Sequence, residues 1–420
     1  MTTSIDAPYE ILTPDTAIAY VRTRPALAGR IDAENVRSVR EIGDGNLNLV
    51  FVLTDGAGCG LVLKQALPYV RLVGPSWRLT PDRARHEAEA LRLHGQLAPG
   101  LVTELYDYDA ERYVLALEDL SDHRVWRTAL NDGLRHDGAA ETMGRYVAAV
   151  AFGTSVLGMD AGERAATLAA AVNPELCLIT EDLVFTEPYV DAGRNCVLPA
   201  NEPDAAELAA DQDMVAAMGR AKWAFMTRAE ALVHGDLHTG SVMVRGADGA
   251  VEGPVDSAKA FDSEFAFYGP VAFDLGALWA NYVIAAARAT ALGDDDRAAW
   301  ALGLCTRTWD AFESAFRARW EDGADGGLAD PRMFRADLRE HLLATWRGEA
   351  WLFGAAKMTR RIVGLAKTSD VETLPPPLRE GAARGVLRTA RRWVREYPAD
   401  AAPRRAEEIA GELLRTTATR

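Results

Sequence analysis

Apolar residues follow two different periods along this chain. Between residues 36 and 117, short apolar runs such as 49–53 and 61–63 are bounded by glycine and aspartate, which is typical of β-strands. Beyond residue 118 the apolar positions recur every three or four residues, which is typical of amphipathic helices. The pattern therefore predicts an α+β protein with a small strand-rich first part and a larger, mainly helical second part.

The second part is expected to contain six helical segments, interrupted only by short strands near residues 236 and 262. These segments are 136–157, 204–233, 275–291, 298–320, 334–365 and 378–397. Within the strand-rich part, Thr13 to Asp15 form a helix start, and residues 82–96 are amphipathic.

The segment HGDLHTGSVMV, residues 234–244, carries the strongest chemical signal. Asp236 lies in a short polar loop between the apolar segments 231–233 and 242–244, which predicts strand, loop, strand. A carboxylate on such a braced loop can accept a hydroxyl proton and orient the attacking oxygen towards a terminal phosphate. The alternative is an aspartate that only caps its own turn.

A second acidic motif follows in DSEFAFYGPVAFD, residues 262–274. Asp262 and Glu264 are two residues apart, so in an extended segment both side chains would point to one face and could share a divalent cation. Mg²⁺ is the expected ion, because it prefers hard oxygen ligands beside phosphates. Either motif alone could be an ordinary loop, but the two together and in this order favour phosphoryl transfer.

The sequence GDLH also occurs in metallophosphoesterases, which need further histidines downstream to hold two metals. After His238 the only remaining histidine is His341, so this alternative lacks ligands.

A phosphotransferase must also bind nucleotide phosphates, and the segment EIGDGNLNLVF, residues 41–51, is the candidate. Gly43, Asp44, Gly45, Asn46 and Asn48 form a turn between two strand-like runs, and its backbone amides can face an anion. A glycine turn of this kind is more often a simple hairpin turn, so it is weak support by itself. Its spacing fits neither a dinucleotide fingerprint nor a Walker loop.

Lys64 strengthens this interpretation. The chain has 46 basic residues, yet only five are lysines: Lys64, Lys222, Lys259, Lys357 and Lys367. A lysine among so many arginines predicts a position that needs a compact ammonium group, such as a phosphate site. Glu87 or Glu89 in the following helix could hold it, and since the two lie two residues apart, only one can face the site.

Several longer runs resemble the S-methyl-5-thioribose kinases, from about residue 10 to about residue 400. They are GDGNLN (43–48), KQALPYVRLVGPSW (64–77), LEDLS (117–121), NPELCLITEDLVFTEP (173–188), HGDLHTGS (234–241), DSEFAFYGP (262–270) and RRIVGLA (360–366). Runs of this length in this order are far more specific than any general kinase motif.

The resemblance implies a protein-kinase-like two-lobed fold, with a nucleotide-binding lobe at 1–117, a hinge near 117–121, and a catalytic and sugar-binding lobe at 118–420. It implies ATP-dependent phosphorylation of the anomeric hydroxyl of methylthioribose in methionine salvage, with Mg²⁺. It also implies a cytoplasmic homodimer.

By position, the resemblance assigns roles to individual residues. The phosphate loop is 43–48, the nucleotide lysine is Lys64 and its partner is Glu87. Glu118 to Leu120 match the hinge that reads adenine through backbone groups. The remaining matches are the catalytic Asp236, the metal-binding Asp262 and Glu264, the sugar-pocket pair Arg360 and Arg361, and the mobile loop of Ser76 and Trp77. The chain departs from the family in Ser263, where a proline is usual, and in segment 245–260, which looks longer.

Arg360 and Arg361 are adjacent in a helical pattern, so their side chains leave the helix about 100° apart. The alternative to a role in the sugar pocket is a structural one, in which one arginine covers the surface and the other pairs with a carboxylate.

Composition narrows the possible partners. A net charge of −15 and a pI near 5.0 argue against nucleic acid, because phosphate backbones require clustered positive charge. The four cysteines show no metal-ligand spacing, and neither a signal peptide nor an apolar stretch long enough to span a bilayer is recognised. We therefore expect a cytoplasmic protein that associates with neither nucleic acid nor membrane.

Two alternatives remain open. One is a kinase of the same fold acting on another small hydroxyl compound, such as a 5-deoxypentose, an aminoglycoside or choline. The other is a nucleotide-binding pseudokinase, which the presence of Lys64, Asp236, Asp262 and Glu264 disfavours.

Overall fold

The first part of the chain forms a five-stranded antiparallel sheet flanked by two helices. The computed structural model describes residues 9–43, 47–71, 73–190, 192–322, 336–397 and 401–418. The sheet order is β1-β2-β3-β5-β4. In chain order the elements are α1 (Pro14–Arg22), β1 (Val36–Ile42), β2 (Asn48–Asp55), β3 (Gly60–Ala66), α2 (Arg83–Leu97), β4 (Leu105–Asp109) and β5 (Val114–Glu118).

Strand alternation decides which side chains of this sheet face α1. Leu61 and Leu63 are fully buried in the cluster that includes α1. Because successive side chains of a strand point to opposite faces, Lys64 leaves β3 on the other face, where α2 lies. In α2 the buried positions include Arg83, Glu87 and Leu91, which repeat at helical spacing and face the sheet.

The second part is mainly helical. Its elements are β6 (Arg124–Val125), α3 (Trp126–Asn131), β7 (His136–Asp137), α4 (Ala139–Gly153), α5 (Ala161–Ala170), α6 (Pro174–Phe185), α7 (Glu202–Ala210), α8 (Gln212–Thr227), β8 (Ala231–Val233), β9 (Val242–Gly246), β10 (Gly253–Ala260), β11 (Phe267–Gly269), α9 (Ala272–Ala291), α10 (Asp295–Leu302), α11 (Leu304–Asp322), α12 (Ala336–Val363), α13 (Ser369–Glu372), α14 (Pro376–Glu396) and α15 (Pro403–Thr417).

The core of this part surrounds α9, most of whose side chains are buried, and α12 packs along it. The small strands form two further sheets, ordered β6-β9-β10-β7 and β11-β8. Strands β8 to β11 lie where the helical pattern was expected to be interrupted, near residues 236 and 262. Strands β6 and β7 were not predicted, and β7 occupies the start of the predicted helix 136–157.

Two predicted helices are wrong in their continuity. The segment 204–233 is two helices and a strand, because Asp211 ends α7 and its carboxylate caps α8 by accepting a hydrogen bond from the amide of Met214 at 3.3 Å. The segment 298–320 is split at Gly303, between α10 and α11. Helices α3, α5, α6, α13 and α15 were not recognised from the periodicity. The segment expected to be longer, 245–260, forms the end of β9, a turn and β10.

Candidate active site

A braced loop, residues 234–241, carries Asp236. The predicted strand, loop, strand arrangement is confirmed, since the loop joins β8 to β9 and includes a short 3-10 turn. The buried carboxylate of Asp274, in α9, accepts hydrogen bonds from the amides of His234 at 2.8 Å and Gly235 at 3.1 Å. This anchors the base of the loop to the central helix.

The same loop is held against the acidic loop 261–266. The imidazole Nε2 of His234 lies 2.9 Å from the carbonyl oxygen of Phe261. Gly235 has φ +83°, and a Cβ at this position would lie 2.1 Å from the carbonyl oxygen of Phe265. Only glycine allows the two loops to approach this closely.

Asp236 lies among basic side chains. Its Oδ1 accepts a hydrogen bond from the buried ammonium of Lys357 at 2.7 Å, and its Oδ2 lies 3.4 Å from Nε2 of His238. Burial alone would raise the pKa of Asp236, but Lys357, His238, Arg360 and Arg361 together hold it well below its usual range. The carboxylate is therefore ionised and able to accept a hydrogen bond from a hydroxyl group.

Asp262 and Glu264 converge with Glu87 on one point. One carboxylate oxygen from each of the three lies within 4.8 Å of the others. The expectation of an extended segment is wrong: the residues between β10 and β11 form a loop, Asp262 has φ +66°, and the amide of Ala266 bonds back to the carbonyl of Ser263 at 3.0 Å. Asp262 can adopt this left-handed conformation because short polar side chains tolerate it.

Lys64 joins the nucleotide strand to this acidic cluster. Its ammonium donates to Glu87 at 2.6 Å and also contacts Asp262. Of the two glutamates left open by their spacing, Glu87, which the resemblance selected, is the one that contacts Lys64, whereas Glu89 pairs with Arg85 at 2.9 Å. Burial opposes the charge of Lys64, but Asp262 and Glu87 more than offset it and raise its pKa.

Glu264 is buried and held by two donors from the first part of the chain. Arg83 donates from Nε at 3.1 Å, and the side-chain amide of Asn48 donates at 2.9 Å. Arg83 has no exposed surface and also donates to the carbonyls of Leu47 and Leu67. Burial raises the pKa of Glu264, which Lys64 and Arg83 partly offset.

The remaining nucleotide candidates are described only in part. Gly43 follows β1 and Asn48 opens β2, while Asp44, Gly45 and Asn46 lie outside the described residues. The amide of Glu118 donates to the carbonyl of Glu104 at 2.9 Å, and its carboxylate contacts Lys259. The carbonyl of Leu120 accepts from the amide of His123 at 2.9 Å.

Arg360 and Arg361 lie near the end of α12, one turn beyond Lys357. Arg361 is buried and Arg360 is half-buried, yet among the residues that the structure describes no carboxylate lies within 4.0 Å of either guanidinium group. Burial and the nearby charge of Arg127 lower the pKa of both side chains. The alternative in which one of them pairs with a carboxylate is therefore wrong for the described part of the chain.

Trp77 is half-buried, and among the described residues it contacts an apolar cluster and Arg194 rather than Arg360 or Arg361. Its ring packs in an apolar cluster that includes Leu176 and Phe265, and the guanidinium group of Arg194 lies 5.1 Å from the ring centre. Phe265 adjoins Glu264, so Trp77 borders the acidic loop. Ser76 beside it is exposed.

Sequence reasoning missed Lys357, Arg83 and Arg127 as site residues. Arg127 donates to Asn281 at 2.9 Å and forms an ion pair with Asp370. Burial lowers the pKa of His238, and the nearby charge of Arg127 lowers it further. Arg83 and Arg127 carried no signal, because arginine is common in this chain. Lys357 did carry one, since the argument from lysine scarcity that selected Lys64 applies to it equally.

Known proteins are similar to this chain in sequence. The sequence profile described as "Phosphotransferase enzyme family" matches residues 38–313. The methylthioribose kinase of Yersinia pseudotuberculosis serotype O:1b (strain IP 31758) is 38% identical over 375 residues, which cover 87% of this chain and 87% of that protein. The methylthioribose kinase of Pectobacterium carotovorum subsp. carotovorum (strain PC1) is 38% identical over 377 residues, covering 87% of this chain and 89% of that protein.

Solved structures are similar at a lower level. A choline/ethanolamine kinase family protein from Mesorhizobium loti has 16% identity and a TM-score of 0.43, covering 96% of this chain and 99% of that chain. A choline kinase from Cryptosporidium parvum Iowa II has 10% identity and a TM-score of 0.47, covering 92% and 94%. Likeness at this level carries no argument about substrate.

No helix within the described ranges has both the length and the hydropathy needed to cross a lipid bilayer. The predicted protein-kinase-like α+β fold is confirmed by the family match together with the strand-rich first part and the mainly helical second part. The chain belongs to the phosphotransferase enzyme family, and within it to the methylthioribose kinases.

Proposed function

We propose that this protein is a small-molecule kinase that transfers the γ-phosphoryl group of ATP to the anomeric hydroxyl of S-methyl-5-thioribose. The products are S-methyl-5-thioribose 1-phosphate and ADP, in methionine salvage. The observation that carries the proposal is 38% identity to proteins named methylthioribose kinase over 87% of both chains. The cluster of Lys64, Asp262 and Glu264 supports it, and so does Asp236 on the loop that packs against the acidic loop, because phosphoryl transfer needs those groups.

Asp236 is proposed to receive the acceptor hydroxyl. The sugar oxygen forms a bond to the γ-phosphorus, the bond from that phosphorus to the bridging oxygen of ADP breaks, and the hydroxyl proton passes to the carboxylate. An ionised Asp236 on a braced loop can orient this hydroxyl before it reacts.

Lys64 is proposed to bind the nucleotide phosphates, with Glu87 holding its ammonium in place. Support comes from the ion pair of 2.6 Å and from strand alternation, which directs Lys64 towards α2. The loop 43–48 and the hinge residues Glu118 and Leu120 complete the proposed nucleotide site. In this proposal residues 1–117 form the nucleotide-binding lobe and residues 118–420 form the catalytic and sugar-binding lobe.

Asp262 and Glu264 are proposed to hold Mg²⁺. The donor set fits a hard cation: three carboxylates converge, and within the described residues the cationic groups contacting them are Lys64 and Arg83, which leaves a surplus negative charge. When bound, the ion would supply charge neutralisation to the phosphates.

Arg360, Arg361 and Trp77 are proposed to form the sugar side of the site. The absence of a carboxylate partner within the described residues leaves both guanidinium groups able to donate to sugar hydroxyls or to the transferred phosphoryl group. Such a basic surrounding favours a neutral sugar over a cationic acceptor such as an aminoglycoside or choline.

A cytoplasmic homodimer is proposed from the family resemblance alone.

An ADP-release assay with purified protein tests the function. Methylthioribose, 5-deoxyribose, ribose and an aminoglycoside panel are compared with MgATP. We expect methylthioribose to have the highest kcat/KM and ribose to be poor, since a pocket for an apolar thioether resists hydration at the 5-position. If ribose or kanamycin had the same kcat/KM as methylthioribose, the substrate assignment would be wrong. If 5-deoxyribose had a higher kcat/KM than methylthioribose, 5-deoxyribose would be the preferred substrate.

A further inference from the structure

Lys357 reaches the centre of the site from a distant part of the chain. It lies in α12, 121 residues after Asp236, and only 4% of its surface is exposed. Its ammonium group donates to Oδ1 of Asp236 at 2.7 Å and lies 4.4 Å from the ring centre of Phe273. The aromatic face and the carboxylate together confine the ammonium group to one position.

This contact distinguishes the two oxygens of the Asp236 carboxylate. Oδ1 is occupied by Lys357, whereas among the described residues the group facing Oδ2 is Nε2 of His238 at 3.4 Å, which is longer than a normal hydrogen bond. The backbone of the same residue is also restrained, because its carbonyl accepts from the amide of His238 at 3.0 Å and from the hydroxyl of Ser241 at 3.1 Å. Oδ2 is therefore the oxygen left for a hydroxyl donor.

We propose that Lys357 is a positioning residue, which holds Asp236 through Oδ1 so that Oδ2 receives the proton of the acceptor hydroxyl. This inference rests on the proposed function, and it adds a residue that fixes both the orientation and the charge of the carboxylate. No substrate contact is assigned to Lys357.

Lysine usage supports the proposal independently. Of the five lysines in the chain, Lys64 and Lys357 are the two that are buried, and each forms an ion pair with a carboxylate of the candidate site. A guanidinium group is larger, and its planar fork would not fit the space between Asp236 and the Phe273 ring in the same way.

The charge of Lys357 has a consequence that activity measurements can detect. The other charged or titratable groups acting on Asp236 are His238, Arg360 and Arg361, with Arg127 behind them. Asp236 works as an ionised group, and its pKa is lowered, so activity should persist to acidic pH in the native enzyme. Removing the ammonium charge raises the pKa of Asp236, and the acid limb of the kcat profile must then move to higher pH.

The experiment compares three replacements of Lys357 in the full-length protein. Lys357→Gln keeps a hydrogen-bond donor without the charge, Lys357→Met removes both, and Lys357→Arg keeps the charge in a different shape. Lys222→Gln is the matched control, because Lys222 is half-buried and donates to Thr186 at 3.0 Å, outside the candidate site. We measure kcat and both KM values from about pH 5 to about pH 9, with thermal unfolding and ATP binding as checks of folding.

We expect the acid limb of kcat to move upward by about one to three pH units in Lys357→Gln and Lys357→Met. The limb should stay near the native position in Lys357→Arg and Lys222→Gln, while kcat falls in Lys357→Arg. Above the limb, Lys357→Gln should retain more activity than Lys357→Met, and the KM for ATP should change little in either.

The inference is overturned if both neutral variants lose activity without moving the acid limb, or if Lys357→Arg moves the limb as far as Lys357→Gln does. If one neutral variant does not fold, the other and Lys357→Arg decide the same question. Failure of the native protein to phosphorylate methylthioribose would instead count against the proposed function, and the profiles would then be measured with the sugar that the acceptor panel identifies.

Discussion

Gly235→Ala should destabilise the protein and impair turnover through the contact between two loops. Gly235 has φ +83°, which costs an alanine about 1 to 2 kcal/mol. Its Cβ would also lie 2.1 Å from the carbonyl oxygen of Phe265, so the loops carrying Asp236 and Glu264 would have to separate. Overpacking of this kind typically costs about 1 to 3 kcal/mol, which gives about 2 to 5 kcal/mol for the substitution.

The matched control is Gly249→Ala. Gly249 has φ +74°, but a Cβ added there would meet nothing within 4 Å, so only the backbone cost of about 1 to 2 kcal/mol applies. Thermal and urea unfolding give the stability difference, and ADP release gives kcat. The argument from loop contact fails if Gly235→Ala is no less stable than Gly249→Ala and retains native kcat.

Five further substitutions test the assigned roles. Asp236→Asn should keep ATP binding but reduce kcat by a factor of about 100 or more, because the amide cannot take the hydroxyl proton; near-native turnover would move this role elsewhere. Asp262→Ala should raise the Mg²⁺ concentration needed for half-maximal activity, and an unchanged Mg²⁺ titration would remove Asp262 from the metal site. Lys64→Arg should weaken activity despite unchanged charge, since the fork places its donors differently, and a fully active variant would refute the argument from lysine scarcity. Arg360→Met and Arg361→Met, each made singly, should raise the sugar KM or lower kcat with ATP affinity nearly unchanged; loss of ATP affinity and melting temperature together, with a native sugar KM, would make the pair structural.

Local patterns predicted the longer strands of the first part, missed β6 and β7, and placed the helix boundaries less well. Strands β2 and β3 follow from short apolar runs bounded by turn residues, and the helix α2 follows from its amphipathic period. The break at Asp211 was missed because apolar residues continue at helical spacing across it, although the aspartate itself is a good N-cap. Helix α5, which has no buried residue in the structure, was also missed.

Local patterns also predicted part of the candidate site. Asp236, Asp262, Glu264 and Lys64 were predicted from residue type and spacing. The carboxylates of Asp262 and Glu264 do lie close together, as their spacing predicted. The reason given for it was wrong, since the segment is a loop rather than a strand. A loop conformation such as φ +66° at Asp262 depends on contacts with distant residues, and no local pattern specifies it.

The sequence by itself determined the two-part architecture and the candidate carboxylates and lysine of a phosphotransferase, because hydrophobic period and side-chain chemistry are local properties. Spacing left Glu87 and Glu89 open, and the resemblance selected Glu87, which the structure places against Lys64. Only the tertiary structure decided that Arg83 and Asn48 hold Glu264 and that Lys357 contacts Asp236. These pairs join residues between 23 and 216 positions apart. Which of them meet depends on how α2, α9 and α12 pack, since burial in a shared core, rather than distance along the chain, determines which charges must find a partner.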